Sequence, residues 1–339
     1  MYSLSNGGRE LRAGDRPDAQ FVQPEGMIEL RELQLLTALA RHRHFAKAAE
    51  ECALSQPAFS MRLRALEERL GLTVVRRGNR FQGLTEEGEM ILRHARGILD
   101  GAKALEQEIA AAKGQVTGML VLGVVPTATA FAAQVTARLH EAHPKLLVRI
   151  EVTTSITLQQ RLFDGTIDAG ITYSDSLGKD QVTITALYDE SCVLFASEAM
   201  VAAEITSVTW AEAARLPLSL LEPQMQNRRI LDRIFADRRL NPSVVSESSG
   251  FMAAMVMARS GNVATILPRA LVEALGHMEG TRVLDLVEDT SVEDTEAAMP
   301  TAIGRPICLA SVDRQPELTT VRALRQVIDT AGLICDIDK

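Results

Sequence analysis

The chain has 339 residues, 46% hydrophobic and 24% charged, with a net charge of −8; this is the make-up of a soluble globular protein with two or three folded units. No apolar run reaches the roughly 20 residues that a membrane-spanning helix needs. Four cysteines, Cys52, Cys192, Cys308 and Cys335, stand too far apart to form a metal-type or redox pair and read as reduced thiols of a cytoplasmic protein.

Residues 1–26 are polar, carry Gly and Pro, and lack the apolar segment of a secretory signal, so a disordered tail is expected there. The segment "LRELQLLTALARH" then places Leu33, Leu36, Leu39 and Ala40 at helical spacing, and "FAKAAEECA" is a short, Ala-rich helical stretch. After a tight turn, Ser55 offers a hydroxyl acceptor to free N–H groups of a new helix, and Pro57 falls in its first turn, where a missing N–H costs nothing. In that helix Phe59, Leu63, Leu66 and Leu70 form one apolar face, while Gln56, Ser60 and Arg64 make a separate polar row and Arg62 lies on the other flank. On an isolated helix such a row is ordinary solvated surface. Here it follows a short helix and a tight turn, which is the helix-turn-helix plan, with the second helix free to enter a DNA major groove.

Downstream, "VVRRGNRFQGL" reads as a hairpin wing that carries Arg76, Arg77 and Arg80 toward phosphates. Between Arg41 and Arg80 there are nine Lys/Arg and four Asp/Glu, a local +5 on a chain of net −8. A basic module on an acidic protein is the footprint of a duplex-binding head, in which phosphate contacts give affinity and the exposed helix face reads base edges.

Residues 28–88 resemble the winged helix-turn-helix of LysR-type transcriptional regulators. The resemblance rests on Phe45, Ala48-Ala49, Ser55 to Ser60 (SQPAFS), Leu66-Glu67, Leu70-Gly71, Arg76 and Leu84 to Gly88 (LTEEG). Met61 and Val74-Val75 depart from the usual pattern. The resemblance implies sequence-specific binding to double-stranded promoter DNA through Gln56, Pro57, Ser60, Arg62 and Arg64, with the wing residues Arg76, Arg77 and Arg80 in support. It also implies RNA polymerase as a partner.

From Glu86 to Lys113 there is no proline, and Ile91, Ala95, Ile98, Ala102, Leu105, Ile109 and Ala112 fall at alternating steps of four and three. That heptad seam predicts a long linker helix paired with a second helix, although packing against its own chain is an alternative. By the resemblance the partner helix belongs to a second copy, giving a homodimer or a dimer of dimers.

After Gly114, β-rich runs ("MLVLGVV", "LLVRIEVT", "DAGITY", "CVLFA", "VATIL", "ICLAS") alternate with helical segments, which predicts an α/β fold with largely parallel sheets. The same residues are similar to the two-lobed, periplasmic-binding-protein-like effector domain of the family. The expected organisation is a head at 27–85, a linker helix at 86–113 and an effector domain at 114–335. Within the last, lobe one spans about 117–189 and 300–335, and lobe two about 190–290. By the resemblance Thr127 and Ser155 touch a small effector, and Ser249 faces them from lobe two. A helix cap or turn former is the other reading of each.

Strand ends and helix N-termini favour an anion there. Arg228 and Arg229 either pair with such a carboxylate or are solvated helix charges. His140 and His143 have i, i+3 spacing but no third ligand nearby, so no metal is expected, and the acidic stretch 285–296 reads as a solvated loop. There is no Gly-x-Ser-x-Gly elbow, Walker loop or dinucleotide-binding glycine pattern. The expected function is therefore a non-enzymatic, effector-modulated transcriptional regulator without a cofactor. A cytosolic binding module or enzyme with a non-regulatory head is the competing class, and it leaves the arginines between Arg62 and Arg80 unexplained.

Overall fold

A computed structural model of the chain describes residues 28–78, 81–178, 182–288, 302–313 and 316–330. The expected tail at 1–26, Arg80, Cys335 and the acidic stretch beyond Glu288 lie outside the described residues, and of Arg77 only the backbone is described. The chain divides into two compact units, the break falling between Leu92 and Arg93.

The first unit contains α1 (Leu30–His42), α2 (Phe45–Glu51), α3 (Gln56–Leu70), the antiparallel hairpin β1 (Val75–Arg77) and β2 (Phe81–Leu84), and the opening turns of α4 (Glu86–Ala112). Local chemistry sets the boundaries. Glu29 and Glu32 form a reciprocal cap on α1. The Ser55 hydroxyl accepts from the Ala58 N–H at 3.4 Å to start α3, and Gly71, at φ +64°, ends it in a conformation that costs a glycine nothing. The apolar face of α3 (Phe59, Leu63) is buried against Leu35, Leu36, Leu39, Ala48 and Ala49, with Phe45 set edge-on to both Phe59 and Phe81. One Glu67 carboxylate oxygen accepts from the Val74 and Val75 N–H groups at 2.9 and 3.0 Å, fastening the wing to α3. Gly88 allows α4 to approach the wing, because a Cβ there would stand 2.2 Å from the Val74 carbonyl oxygen.

The second unit continues with β3 (Gly118–Val124), α5 (Thr129–Ala142), β4 (Leu146–Val152), α6 (Ser155–Phe163), β5 (Ala169–Tyr173), β6 (Val182–Ser197) and β7 (Ser207–Thr209). It proceeds through α7 (Trp210–Arg215), β8 (Pro217–Leu221), α8 (Gln226–Asp237), β9 (Ser243–Ser248), α9 (Phe251–Arg259) and β10 (Thr265–Pro268). It closes with α10 (Arg269–Leu275), β11 (Thr281–Val287), β12 (Ala302–Val312) and α11 (Thr319–Thr330). The main sheet runs β4-β3-β5-β12-β6-β11-β7, with β10 also on β6, and β8 pairs with β9 separately. Pairing is parallel where a helix connects the strands (β3 with β4 and β5, β8 with β9). It is antiparallel wherever β6 meets β12, β10 or β11, and where β12 meets β5, so the main sheet is mixed and not largely parallel as expected.

β6 supplies the reason. Its first half pairs with β12 and its second half with β10 and β11, so one strand serves two hydrophobic cores. One core gathers Leu120, Leu122, Phe131, Ile171, Ile307 and Leu324; the other gathers Cys192, Leu194, Trp210, Phe235, Ile266 and Leu284.

One face of α4 belongs to this unit. Ala104 is buried, Gln107 accepts from the Thr320 N–H at 3.3 Å, and Arg96 pairs with Asp164. Lys103 reaches the buried Asp168 carboxylate at 2.5 Å, whose other oxygen accepts from the Val121 N–H at 2.9 Å. Three of the heptad residues, Ile98, Leu105 and Ile109, stay 51–57% exposed. Ile91 and Ala95, by contrast, are buried within their own chain, so the seam divides. Asp168→Ala leaves the Val121 N–H and Lys103 without their acceptor. It is expected to lower unfolding free energy by about 2–4 kcal/mol, read as a fall in the urea midpoint at unchanged slope.

Candidate functional site

In the head, burial of Phe59, Leu63 and Leu66 turns the opposite side of α3 to solvent. Gln56, Pro57, Arg62 and Arg64 are exposed and Ser60 is half-buried. Met61, 69% exposed, stands among them, so an apolar group joins the polar row. Arg76 is exposed on β1, and the Arg77 backbone continues the same strand. Two of the head's basic residues are taken up by ion pairs. Arg41 pairs with Glu51, and Arg69 with Glu32, so these hold the head together. Arg62, Arg64 and Arg76 carry no ion pair among the described residues and present unneutralised charge. A cation already paired gains little from a phosphate; an unpaired, solvated one releases the counterions that drive duplex binding.

In the second unit, the chain leaves β3 through a short 3-10 turn, Pro126–Ala128, that puts Thr127 at the strand's C-terminal end. Thr127 and Ser155 line one small cavity with Tyr173, Leu221, Met225 and Asn227. Its volume is about 10 Å³, roughly what one water requires. The Thr127 hydroxyl and both amide atoms of Asn227 are buried and without a hydrogen-bond partner among the described residues. Ser155 does not cap α6: Thr154 does, its hydroxyl accepting from the Thr157 N–H, while the Ser155 hydroxyl is buried and accepts from Thr172 at 3.1 Å. Ser249 is exposed and outside the lining; Asn227 and Met225 occupy the place expected of it.

Behind this cavity the Tyr173 hydroxyl donates to Glu190 at 2.7 Å. Glu190 is 1% exposed, and its second carboxylate oxygen has no hydrogen-bond partner among the described residues. Burial pushes its carboxyl up to about 7, against the opposing influence of Tyr173, Thr127 and Asn227. Such a group argues against the expected anion, since no Lys, Arg or His lines the cavity and the nearest ionisable neighbour is a carboxyl. Glu190 was overlooked in the sequence: it stands in the polar triplet Asp189-Glu190-Ser191, where nothing local marks it as the buried member. Asn227 leaves no mark either.

Other expectations are corrected by the same coordinates. Arg228 is neither solvated nor free for a ligand. It is 8% exposed and held by Asp232, Glu247 and the Leu221 carbonyl, each at 2.8 Å. Arg229 is the exposed one. His140 lies on α5 but His143 is the residue that ends it, and no group of three or more metal-ligating side chains gathers among the described residues. Cys192 and Cys308 are buried free thiols, and burial pushes the latter up to about 12, which disfavours the reactive thiolate.

Residues 113–331 match the family model for the LysR substrate binding domain, and residues 30–89 match that for the bacterial regulatory helix-turn-helix protein of the lysR family. An SDS degradation transcriptional activation protein of Pseudomonas sp. (strain ATCC 19151) is 37% identical over 171 residues, 50% of this chain and 56% of that protein. The HTH-type transcriptional regulator CfxR of Cupriavidus necator is 30% identical over 222 residues, covering 64% and 68%. The chain thus spans little more than half of the first relative and about two thirds of the second. Among solved structures, a full-length OxyR variant from Pseudomonas aeruginosa superposes with a TM-score of 0.68 at 23% identity, over 91% of this chain and 97% of that one. CbnR in complex with its target DNA gives 0.54 at 21%, over 88% and 100%. Both likenesses concern the fold. With two family models together spanning the head and the larger domain, the chain belongs to the LysR-type family of bacterial transcriptional regulators, which are not enzymes.

Proposed function

We propose that this chain binds operator DNA through α3 and the β1–β2 wing, and that a small polar effector in the Thr127 cavity biases the arrangement of its heads. The observation that carries the first half is that burial of Phe59, Leu63 and Leu66 leaves Gln56, Arg62 and Arg64 exposed on one side of α3, and that these arginines and Arg76 of the wing carry no ion pair among the described residues. Gln56, Ser60 and Arg64 then read base edges, Pro57 sets the entry of the helix into the groove, and Arg62, Arg76, Arg77 and Arg80 hold phosphates. CbnR, a relative in fold, was solved with its target DNA, which supports the same use of the head here. Contact with RNA polymerase and residence in the cytoplasm belong to this reading.

The exposed Ile98, Leu105 and Ile109 form the seam between two copies, which gives two heads for two half-sites and, through further contacts, a dimer of dimers. The effector is a small molecule with both hydrogen-bond donors and acceptors, matched to the unpartnered Thr127 hydroxyl and Asn227 amide. The boundaries 27–85, 86–113 and 114–335 are kept as the working domains. A cavity of about 10 Å³ admits nothing larger than water without opening, so a larger effector favours a more open arrangement and shifts the population by its differential affinity.

Three measurements test this. Gln56→Ala is expected to relax base preference at one operator position at about 1–3 kcal/mol, whereas Arg76→Ala weakens all sequences alike and reduces the salt slope by about one. A change of preferred base in Arg76→Ala contradicts the division into reader and positioner. Replacing Ile98 and Leu105 together by Glu is expected to yield smaller species in sedimentation with weaker operator binding; unchanged assembly sinks the seam. For the effector, neutral polar metabolites screened by thermal shift supply the ligand. Its affinity should fall by roughly 1–3 kcal/mol in Thr127→Val, with ligand-free operator binding intact.

A further inference from the structure

The α3 helix carries a second apolar line that its own fold does not use. Its core face is Phe59, Leu63, Leu66 and Leu70, and at about 100° per residue Met61 comes round about 190° from the middle of that face. Met61 therefore points directly away from the core of the head, and it is 69% exposed. Pro57, one turn earlier on the same line, is exposed, and so is Ala65, one turn later. Glu68, two turns beyond Met61, is the first acidic group that the line meets. The outermost strip of the helix is thus apolar over its first turns, with the polar row of Gln56, Ser60 and Arg64 running beside it.

The surroundings say what such a side chain faces. Arg64 flanks the line on one side and Arg62 on the other, and with Arg76 of the wing they carry no ion pair among the described residues. Positive charge on both flanks fits a polyanion far better than an apolar protein surface. Inside a DNA major groove a methionine has few options. Its thioether sulfur is a weak acceptor and the side chain has no donor, so it cannot answer the polar groups on a base edge. The one apolar group that a base pair displays there is the thymine 5-methyl. On the reading that α3 enters the major groove, on which this rests, we propose that Met61 is a specificity-determining residue that selects an A·T pair by apolar contact with the thymine methyl.

The contact selects in two ways. With thymine present, apolar surface leaves water on both partners, which is worth roughly three- to tenfold in affinity at that pair. With a G·C pair in its place, the thioether lies against an amino or carbonyl group, displaces its water and returns no hydrogen bond. Because Met61 is uncharged, it adds nothing to counterion release, and the salt dependence of binding stays with the arginines. Met61 is exposed and alanine is a good helix former, so its replacement by alanine leaves the head folded and the change is read in binding alone.

The probe is a duplex enriched by the full-length protein from a random-sequence library. Each of its thymines is replaced singly by 2′-deoxyuridine, which lacks only the methyl, and affinity is read by fluorescence anisotropy. One replacement per half-site is expected to weaken the unmodified protein by roughly three- to tenfold. Met61→Ala should weaken binding to the parent duplex by a similar factor at an unchanged salt slope, and combining it with that replacement should cost no more than either change alone. Met61→Gln, equally long but able to donate and accept, should lose the thymine preference when the enrichment is repeated. The proposal is overturned by an unaltered parent affinity in Met61→Ala, by full methyl sensitivity retained in that variant, or by the absence of any thymine whose methyl matters. Smaller species of Met61→Ala in sedimentation, with operator binding intact, would assign the line to a protein partner instead. If Gln56→Ala and Arg76→Ala also bind the enriched duplex unchanged, the α3-and-wing reading falls; if they weaken it and Met61→Ala does not, only the role of Met61 falls.

Discussion

The architecture of the larger unit depends on the ladder hydrogen bonds of a single strand. β6 is 16 residues long and has to satisfy backbone donors and acceptors along its whole length. From Val182 to Ser191 it does so with β12, and from Cys192 to Ser197 with β10 and β11. Glu190 lies next to that handover, in the polar triplet Asp189-Glu190-Ser191 that precedes the apolar run Cys192–Ala196. The strand thereby couples two cores, and it buries the Glu190 carboxyl behind the Tyr173 wall of the Thr127 cavity. A group pushed up to about 7 in that position is sensitive to whatever donor approaches it.

In the head, a comparable economy governs charge. Glu67 accepts from two wing N–H groups, Glu32 holds Arg69 and Glu51 holds Arg41. Acids are placed where they fasten backbone or neutralise bases away from the α3 row. Arg62, Arg64 and Arg76 are among the cations left over. Exposed ion pairs add little stability, so this division matters more for where positive charge remains than for how firmly the head is folded.

The α4 helix shows why an apolar seam and a packed face are not alternatives. Ala104, Gln107 and Lys103 are engaged with their own unit, while Ile98, Leu105 and Ile109 are left to solvent on another face of the same helix. Gly97 and Gly101 lower the intrinsic stability of this stretch, so contacts on the packed face are needed to hold it helical. That rigidity makes the exposed face a usable surface.

Some of this was legible in the residues themselves. The Ser55 cap, Pro57, the apolar row of α3 and the turn into the wing are local signals, because each concerns groups within a few residues of one another. The strand and helix alternation after Gly114 was equally clear. Tertiary structure decided what depends on distant partners. That Asn227 stands opposite Thr127 in place of Ser249, that Arg228 is held by Glu247 of β9, and that the main sheet is mixed all follow from pairings between separate elements. Periodicity records which side of an element is buried; it carries no record of which other element buries it, and a ligand site is made from that second fact.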